Sequence, residues 1–214
     1  MFKLDGPIHK ILSRILDLII LNVIFTICCI PIVTIGASWC ALYDVMFKIK
    51  EEKDANVFKQ FFIAFRDNFV QSLFGTLILV VLAALLYMDY NIVFVQKLYD
   101  SAVMRALFYI VLFVVTGFFS WLFPMIARFD NKFGMQFKNA FMLCLANLPT
   151  TVLVVLLNLS PFILLYYFAK LSVYYLLTFW MFLGLSLIAM GNSRLLYRAF
   201  KKYDQKPESE EKAE

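Results

Sequence analysis

Few residues in this chain have the type and setting to do chemistry. Arg14, Asp17, Asp44 and Asp89 are the ionisable side chains within otherwise apolar segments, and Asn22 and Asn158 are the polar residues deepest in such segments. A charge inside an apolar helix is costly, so each is a functional candidate whose partner must be named. Arg14 and Asp17 stand at i and i+3, close enough to pair across one helical turn. Asp44, in ALYD, lies near the cationic end of its segment and reads as a solvated or paired carboxylate rather than a proton carrier. Asp89, in YMDYN, is flanked by tyrosines that suit a membrane interface. Asn22 and Asn158 are expected to make helix–helix hydrogen bonds, each modest in energy.

These residues do not add up to a familiar reactive site. The segments 106–127, 149–169 and 172–195 hold no Asp, Glu, Lys, Arg or His before Arg194. A proton-coupled carrier needs a relay of such groups at mid-membrane, and an ion channel needs a filter loop or a charged ring. Neither pattern is present. The one histidine, His9, stands alone near the N-terminus. Cys28, Cys29, Cys40 and Cys144 lie in apolar stretches without CxxC spacing, so they read as small packing residues rather than metal or redox ligands. No HExxH, GxSxG, P-loop or GxGxxG motif occurs. The expectation is a protein without catalytic, metal-binding or cofactor-binding residues.

The elements that carry these residues follow from composition. Of 214 residues, 63% are hydrophobic and 16% charged, against about 25% charged in a typical soluble domain. Too few polar groups are available to cover a water-facing surface, so the chain reads as an integral membrane protein. A spanning helix needs about 20 mostly apolar residues. Residues 71–95, 106–127, 149–169 and 172–195 qualify. Residues 11–47 form one apolar stretch, too long for one span and interrupted by PIVTIG, with Pro31 and Gly36. Proline and glycine punctuate helices, so the reading is a hairpin of helices over 11–30 and 36–49. The first is expected to be an uncleaved membrane helix, because its apolar run exceeds a signal-peptide core and no A-x-A site follows.

Charge then orients the bundle. With six spans, 17 of the 20 Lys and Arg residues fall on one side, and only Lys97, Arg105 and Lys170 on the other. The positive-inside rule places both termini in the cytoplasm of a multi-pass protein of the cell membrane. Net charge is +5, and the last eleven residues, DQKPESEEKAE, are acidic. The surplus cations read as membrane-flanking groups facing anionic lipid, not as a nucleic-acid surface. The expected fold class is therefore an all-α polytopic bundle, one domain over residues 1–203, followed by a disordered acidic tail over 204–214.

Two connecting segments are themselves amphipathic. In 57–69, Phe58, Phe61, Phe62, Phe65 and Phe69 recur on one helical face, opposed by Lys59, Gln60, Arg66 and Asp67. In 133–148, Phe133, Phe137, Phe141, Cys144 and Leu148 do the same against Gln136, Lys138 and Asn139. Each is expected to form an elbow helix along the inner interface, rings down and charges up. The elbow either staples neighbouring spans or presents a docking surface to a partner. The segments align at an offset of 79, with Phe58-Lys59 on Phe137-Lys138, Phe62 on Phe141 and Asn68 on Asn147. That suggests a duplicated helix–elbow–helix unit.

The motifs TIGASWCALYDVMFK (34–48), FKQFFIAFRDNF (58–69), FPMIARFD (123–130) and NAFMLCLANLPTT (139–151) together resemble the YesL-like family of small bacterial membrane proteins, over nearly the whole chain. These are mostly of unassigned biochemical function, encoded beside carbohydrate ABC importers and glycan-degrading enzymes. The resemblance implies a link to oligosaccharide uptake in a Gram-positive bacterium. It points to an accessory or regulatory subunit beside ABC permease subunits. A self-contained homo-oligomeric transporter or flippase, and a membrane-bound signalling protein, are the alternatives.

Overall fold

The structure, a computed structural model, describes residues 7–51, 56–96 and 101–204; Lys97 and tail residues 205–214 lie outside them. The described residues are almost entirely helical: α1 (Pro7–Cys28), α2 (Ile35–Lys50), α3 (Val57–Asp67), α4 (Phe69–Tyr90), α5 (Ala102–Arg128), α6 (Phe133–Ala146), α7 (Leu148–Phe179) and α8 (Leu185–Asp204). A 3₁₀ turn (Ile32–Thr34) precedes α2, and π-helical turns follow α4 (Asn91–Val95) and α7 (Trp180–Gly184).

Local sequence explains most boundaries. Helix α1 stops before PIVTIG, where Thr34 Oγ1 donates to the carbonyl of Cys28 (2.6 Å) or of Pro31 (2.7 Å). Toward Cys28, Thr34 thus serves a carbonyl at the end of α1 that has no helical donor left. Asn56 caps α3, its side chain accepting from the Lys59 amide at 3.3 Å. Ser101 caps α5 in the same way, accepting from the Met104 amide at 3.2 Å. These are the residue types whose short side chains satisfy a free helix N-terminus. Pro161 lies inside α7 and removes one backbone donor. Ser160 Oγ donates to Leu157 O at 2.7 Å, filling the acceptor that the missing N–H would have used.

Among the described residues, Ile32–Lys50, Phe69–Val95 and Ala102–Arg128 are long and apolar enough to cross a membrane. Helix α6 and Leu148–Leu164 would make a fourth if counted as one element, but they are bent by 100°. Beyond them, Asn158 hydrogen-bonds Asn192, 34 positions on, at 2.7 Å. A straight helix would hold those residues about 50 Å apart at 1.5 Å per residue. The chain therefore folds back between Asn158 and Asn192.

Helix α2 is the hub. Ten of its residues are buried, Cys40, Ala41, Leu42, Val45 and Met46 among them. It packs against α1, α3, α4, α5 and α8. Its company includes the fully buried Trp121 of α5, Phe61 of α3 and Phe200 of α8. Apolar helices gain little by leaving lipid for one another, so close packing must hold such a core. Gly36 shows how. Its amide donates to Thr76 Oγ1 at 3.1 Å, and a Cβ there would lie 2.8 Å from the Ser72 carbonyl of α4. Only a residue without a side chain lets α2 and α4 approach so closely. Gly117 does the same for α5 and α7, where a Cβ would lie 2.9 Å from Thr151 Cγ2.

The two joints that follow are built alike. Asn68 lies between α3 and α4, and its Nδ2 donates to Ala64 O at 2.9 Å. Asn147 lies between α6 and α7, and its Nδ2 donates to Leu143 O at 3.3 Å. Four residues on, the amides of Ser72 and Thr151 return to the Asn68 and Asn147 carbonyls at 3.0 and 2.9 Å. The units α2–α3–α4 and α5–α6–α7 thus share a glycine crossing, a short helix and an Asn joint; the Asn joints stand at the offset of 79 read from the sequence, and the glycines at 81.

The short helices differ from the expected elbows in three ways. Phe69 and Leu148 belong to the following long helices, so the elbows are shorter than 57–69 and 133–148. The α3 stripe is split: Phe61 is fully buried and Phe65 half-buried, while Phe58 and Phe62 are 56% and 43% exposed. Gln136, expected on the polar face of α6, is fully buried. Its Nε2 donates to the carbonyls of Phe129 (2.6 Å) and Asn131 (3.2 Å). Helix α6 is rotated so that Gln136, Ala140, Leu143 and Cys144 face inward, and Phe141 is left outside. The physical reason is that the carbonyls of the short 129–132 connection need a donor, which a phenylalanine cannot supply.

Candidate functional site

The chemistry-bearing residues gather in three places. The first is the π turn (Trp180–Gly184) between α7 and α8. Asn22, fully buried on α1, donates from Nδ2 to the carbonyls of Trp180 (3.0 Å) and Met181 (2.7 Å). Its Oδ1 accepts from the Ser186 amide (2.8 Å) and hydroxyl (3.2 Å). A π turn disturbs the regular ladder of backbone bonds, and one asparagine bonds two carbonyls within it and the serine just beyond it. The helix–helix bond expected of Asn22 therefore goes mostly to backbone, at the π turn and just after it. Nearer the N-terminus, Arg14 Nη1 lies 4.0 Å from Asp17 Oδ2, on a partly exposed face.

The second is a charged groove of about 370 Å³ where the C-terminal ends of α2 and α5 meet. Asp44, Lys48 and Glu51 line it from α2, and Arg128 and Phe129 from the end of α5. Asp44 Oδ2 accepts from Lys48 Nζ at 2.8 Å and from Gln60 Nε2 of α3 at 2.9 Å. Arg128 Nη1 lies 3.3 Å from Glu51 Oε1, and its guanidinium stacks 4.7 Å from the Tyr197 ring centre. Lys50 Nζ sits over the same ring at 3.8 Å. Opposite charges alternate here, so the groove works as an electrostatic clamp between α2, α5 and α8 rather than as a pocket of one sign.

The third is a cavity of about 460 Å³. Trp39 and Tyr43 of α2 and Leu79, Ala83 and Leu86 of α4 form one side. Thr116, Phe119, Ser120 and Phe123 of α5 with Asn158 and Phe162 of α7 form most of the other. Each repeated unit thus supplies one wall. A hydrogen-bonded chain backs it: Asn158 Nδ2 donates to Ser120 Oγ (2.8 Å), and Asn192 Nδ2 donates to Asn158 Oδ1 (2.7 Å) and to Tyr43 Oη (3.2 Å). Asn192 Oδ1 is buried and has no hydrogen-bond partner among the described residues.

With this geometry in place, comparison with known proteins adds one finding. Residues 18–90 match the family model described as "Protein of unknown function, DUF624", the domain of YesL-like proteins. No curated protein and no solved structure was found to match the chain.

The matched stretch runs from the middle of α1 to the end of α4. It contains Asn22, Asp44, Phe58, Phe61, Phe62, Phe65 and Phe69, one wall of the cavity, and the α2 side of the charged groove. Asp17 stands one residue before it, while Asn158, Phe137 and Phe141 lie in the second repeated unit. Sequence reasoning missed Tyr43, Ser120 and Asn192 of the cavity wall, and Glu51 and Arg128 of the groove. Tyr43 and Asp44 are adjacent in ALYD but face different sites, which spacing alone does not reveal. Asn192, in MGNSR, was legible only as a polar residue at the end of an apolar run.

Proposed function

We propose that this protein is an accessory or regulatory membrane subunit of a carbohydrate (oligosaccharide) ABC import system, without catalysis of its own. It would cross the cell membrane six times with both termini in the cytoplasm, and α3 and α6 would lie as elbows near the inner interface. One observation carries the reading. After Val57, Phe61 and Ala64 pack inward, α3 still presents Phe58, Phe62 and Ile63 outward, bordered by Lys59 and Arg66. An exposed aromatic patch rimmed by cations is the composition expected of a protein interface. The cation bias supports a cytoplasmic position for that patch, the side on which an importer's ATPase meets its permeases. The family resemblance supplies the class of partner.

The test is affinity purification of the tagged chain from its native membranes in mild detergent. We expect a permease pair to co-purify, and Phe58→Asp with Phe62→Asp to reduce its recovery at least fivefold without loss of the chain itself. Recovery of the chain without permease subunits, with uptake unchanged on deletion, would overturn the proposal.

A further inference from the structure

The cavity between the two repeated units is independent of the α3 surface and of any ABC partner. Among the described residues, its lining contains no Asp, Glu, Lys, Arg or His. Its volume of about 460 Å³ falls within the roughly 300–1,000 Å³ of small-molecule sites, which are mostly apolar with a few convergent polar groups. Trp39, Phe119, Phe123 and Phe162 supply apolar wall, and the polar groups are Tyr43, Thr116, Ser120 and Asn158.

The hydrogen-bond inventory of those groups is uneven. Thr116 donates to Leu112 O at 2.7 Å and Ser120 to Thr116 O at 2.7 Å, so both hydroxyl protons are engaged. Tyr43 is buried and accepts from Asn192, which leaves its own phenolic proton for another acceptor. Asn158 Nδ2 carries a second N–H beyond the one given to Ser120. The buried Asn192 Oδ1, one bond behind both, has no donor among the described residues. Buried polar groups are ordinarily satisfied. A hydroxyl or carbonyl oxygen placed against Tyr43 would take the free protons, and a hydroxyl could also give one.

Access is from the side. Ala83 and Phe162 line the cavity and are exposed, as are Val81 and Leu85 on α4 and Val111 and Val114 on α5. In a bilayer those faces meet acyl chains. A charged phosphate drawn in this way would lose its hydration without gaining a counter-charge. We infer that the cavity binds an uncharged amphiphile from the bilayer, a hydrocarbon chain ending in a hydroxyl or ester head that hydrogen-bonds Tyr43 and Asn158.

The test uses the full chain in phosphatidylcholine vesicles with two photo-crosslinking probes carrying the same diazirine acyl chain, a diacylglycerol and a phosphatidylglycerol. The diacylglycerol probe should label peptides of Leu112–Phe123 and be competed by unlabelled diacylglycerol, while the phosphatidylglycerol probe should not label them. Tyr43→Phe should lower the adduct yield about fivefold, the loss of one hydrogen bond. Because Tyr43→Phe also removes an acceptor for Asn192, a second variant is needed. Ala83→Trp fills the mouth without touching any hydrogen bond and should abolish labelling. Equal, uncompeted labelling by both probes would mean bulk acyl chains only and would overturn the inference. So would an unchanged yield in Ala83→Trp.

Discussion

At Asn22 a single amide uses all four of its hydrogen-bonding positions, two as donor and two as acceptor, on one π turn and the serine just beyond it. Asn22→Leu is close in size but leaves two carbonyls and two donors there unmet. Individual polar contacts between membrane helices average about 0.6 kcal/mol, so four together predict a loss of roughly 2–3 kcal/mol. Unfolding in mixed micelles would measure it, and a loss below about 0.5 kcal/mol would remove Asn22 from its role at the π turn. The polar character of this position was visible in the sequence. Its partners were not, because they lie 158 to 164 positions away and are mostly backbone, which carries no side-chain signature. Asp44 shows the opposite limit. Its pairing residue Lys48 is four positions on and readable from helical spacing, whereas Gln60 arrives from α3, where periodicity puts it on a solvent face.

At the scale of the element, the repeated crossings make the sharpest forecast. Gly36→Leu should force α2 from α4, and Gly117→Leu should force α5 from α7, each costing about 2–3 kcal/mol by overpacking. Gly134 is the control: it is also helical, but a Cβ added there would meet nothing within 4 Å. Gly134→Ala should be neutral or stabilise by up to about 1 kcal/mol. Thermal denaturation in detergent would rank the three, and equal effects would contradict the crossing argument. Helix positions were legible here because long apolar runs and N-caps act locally. The facing of α3 and α6 was less so. Four phenylalanines define an aromatic arc on α3, but the arc is wider than the surface α2 offers, so only Phe61 is fully buried. On α6 the demand of nearby carbonyls for Gln136 outweighed the aromatic stripe.

At the scale of the whole molecule, composition was enough to establish an apolar helical chain with several helices able to cross a membrane. It did not reveal that the span read as shortest would be the hub, since α2 takes that place through small and medium residues that fit between neighbours. Nor could periodicity predict a cavity that forms only when two repeated units face each other. The closure at Asn22 carries a further consequence, one of timing. During synthesis the ribosome adds roughly 5–20 residues per second, and the partners of Asn22 follow it by 158 to 164 positions. The first helix must therefore wait roughly 10–30 s in the membrane for its final docking site. A chain stopped after Phe179 would leave it waiting indefinitely. Cys28 and Cys29, half-buried at the end of α1 in the complete fold, should then react with a membrane-permeant maleimide several-fold faster. An unchanged rate would show that α1 is seated without the last helix. If the rate rises, the final step of assembly is the closing of the chain's beginning onto its end, and quality control would have that interval to recognise an unfinished molecule.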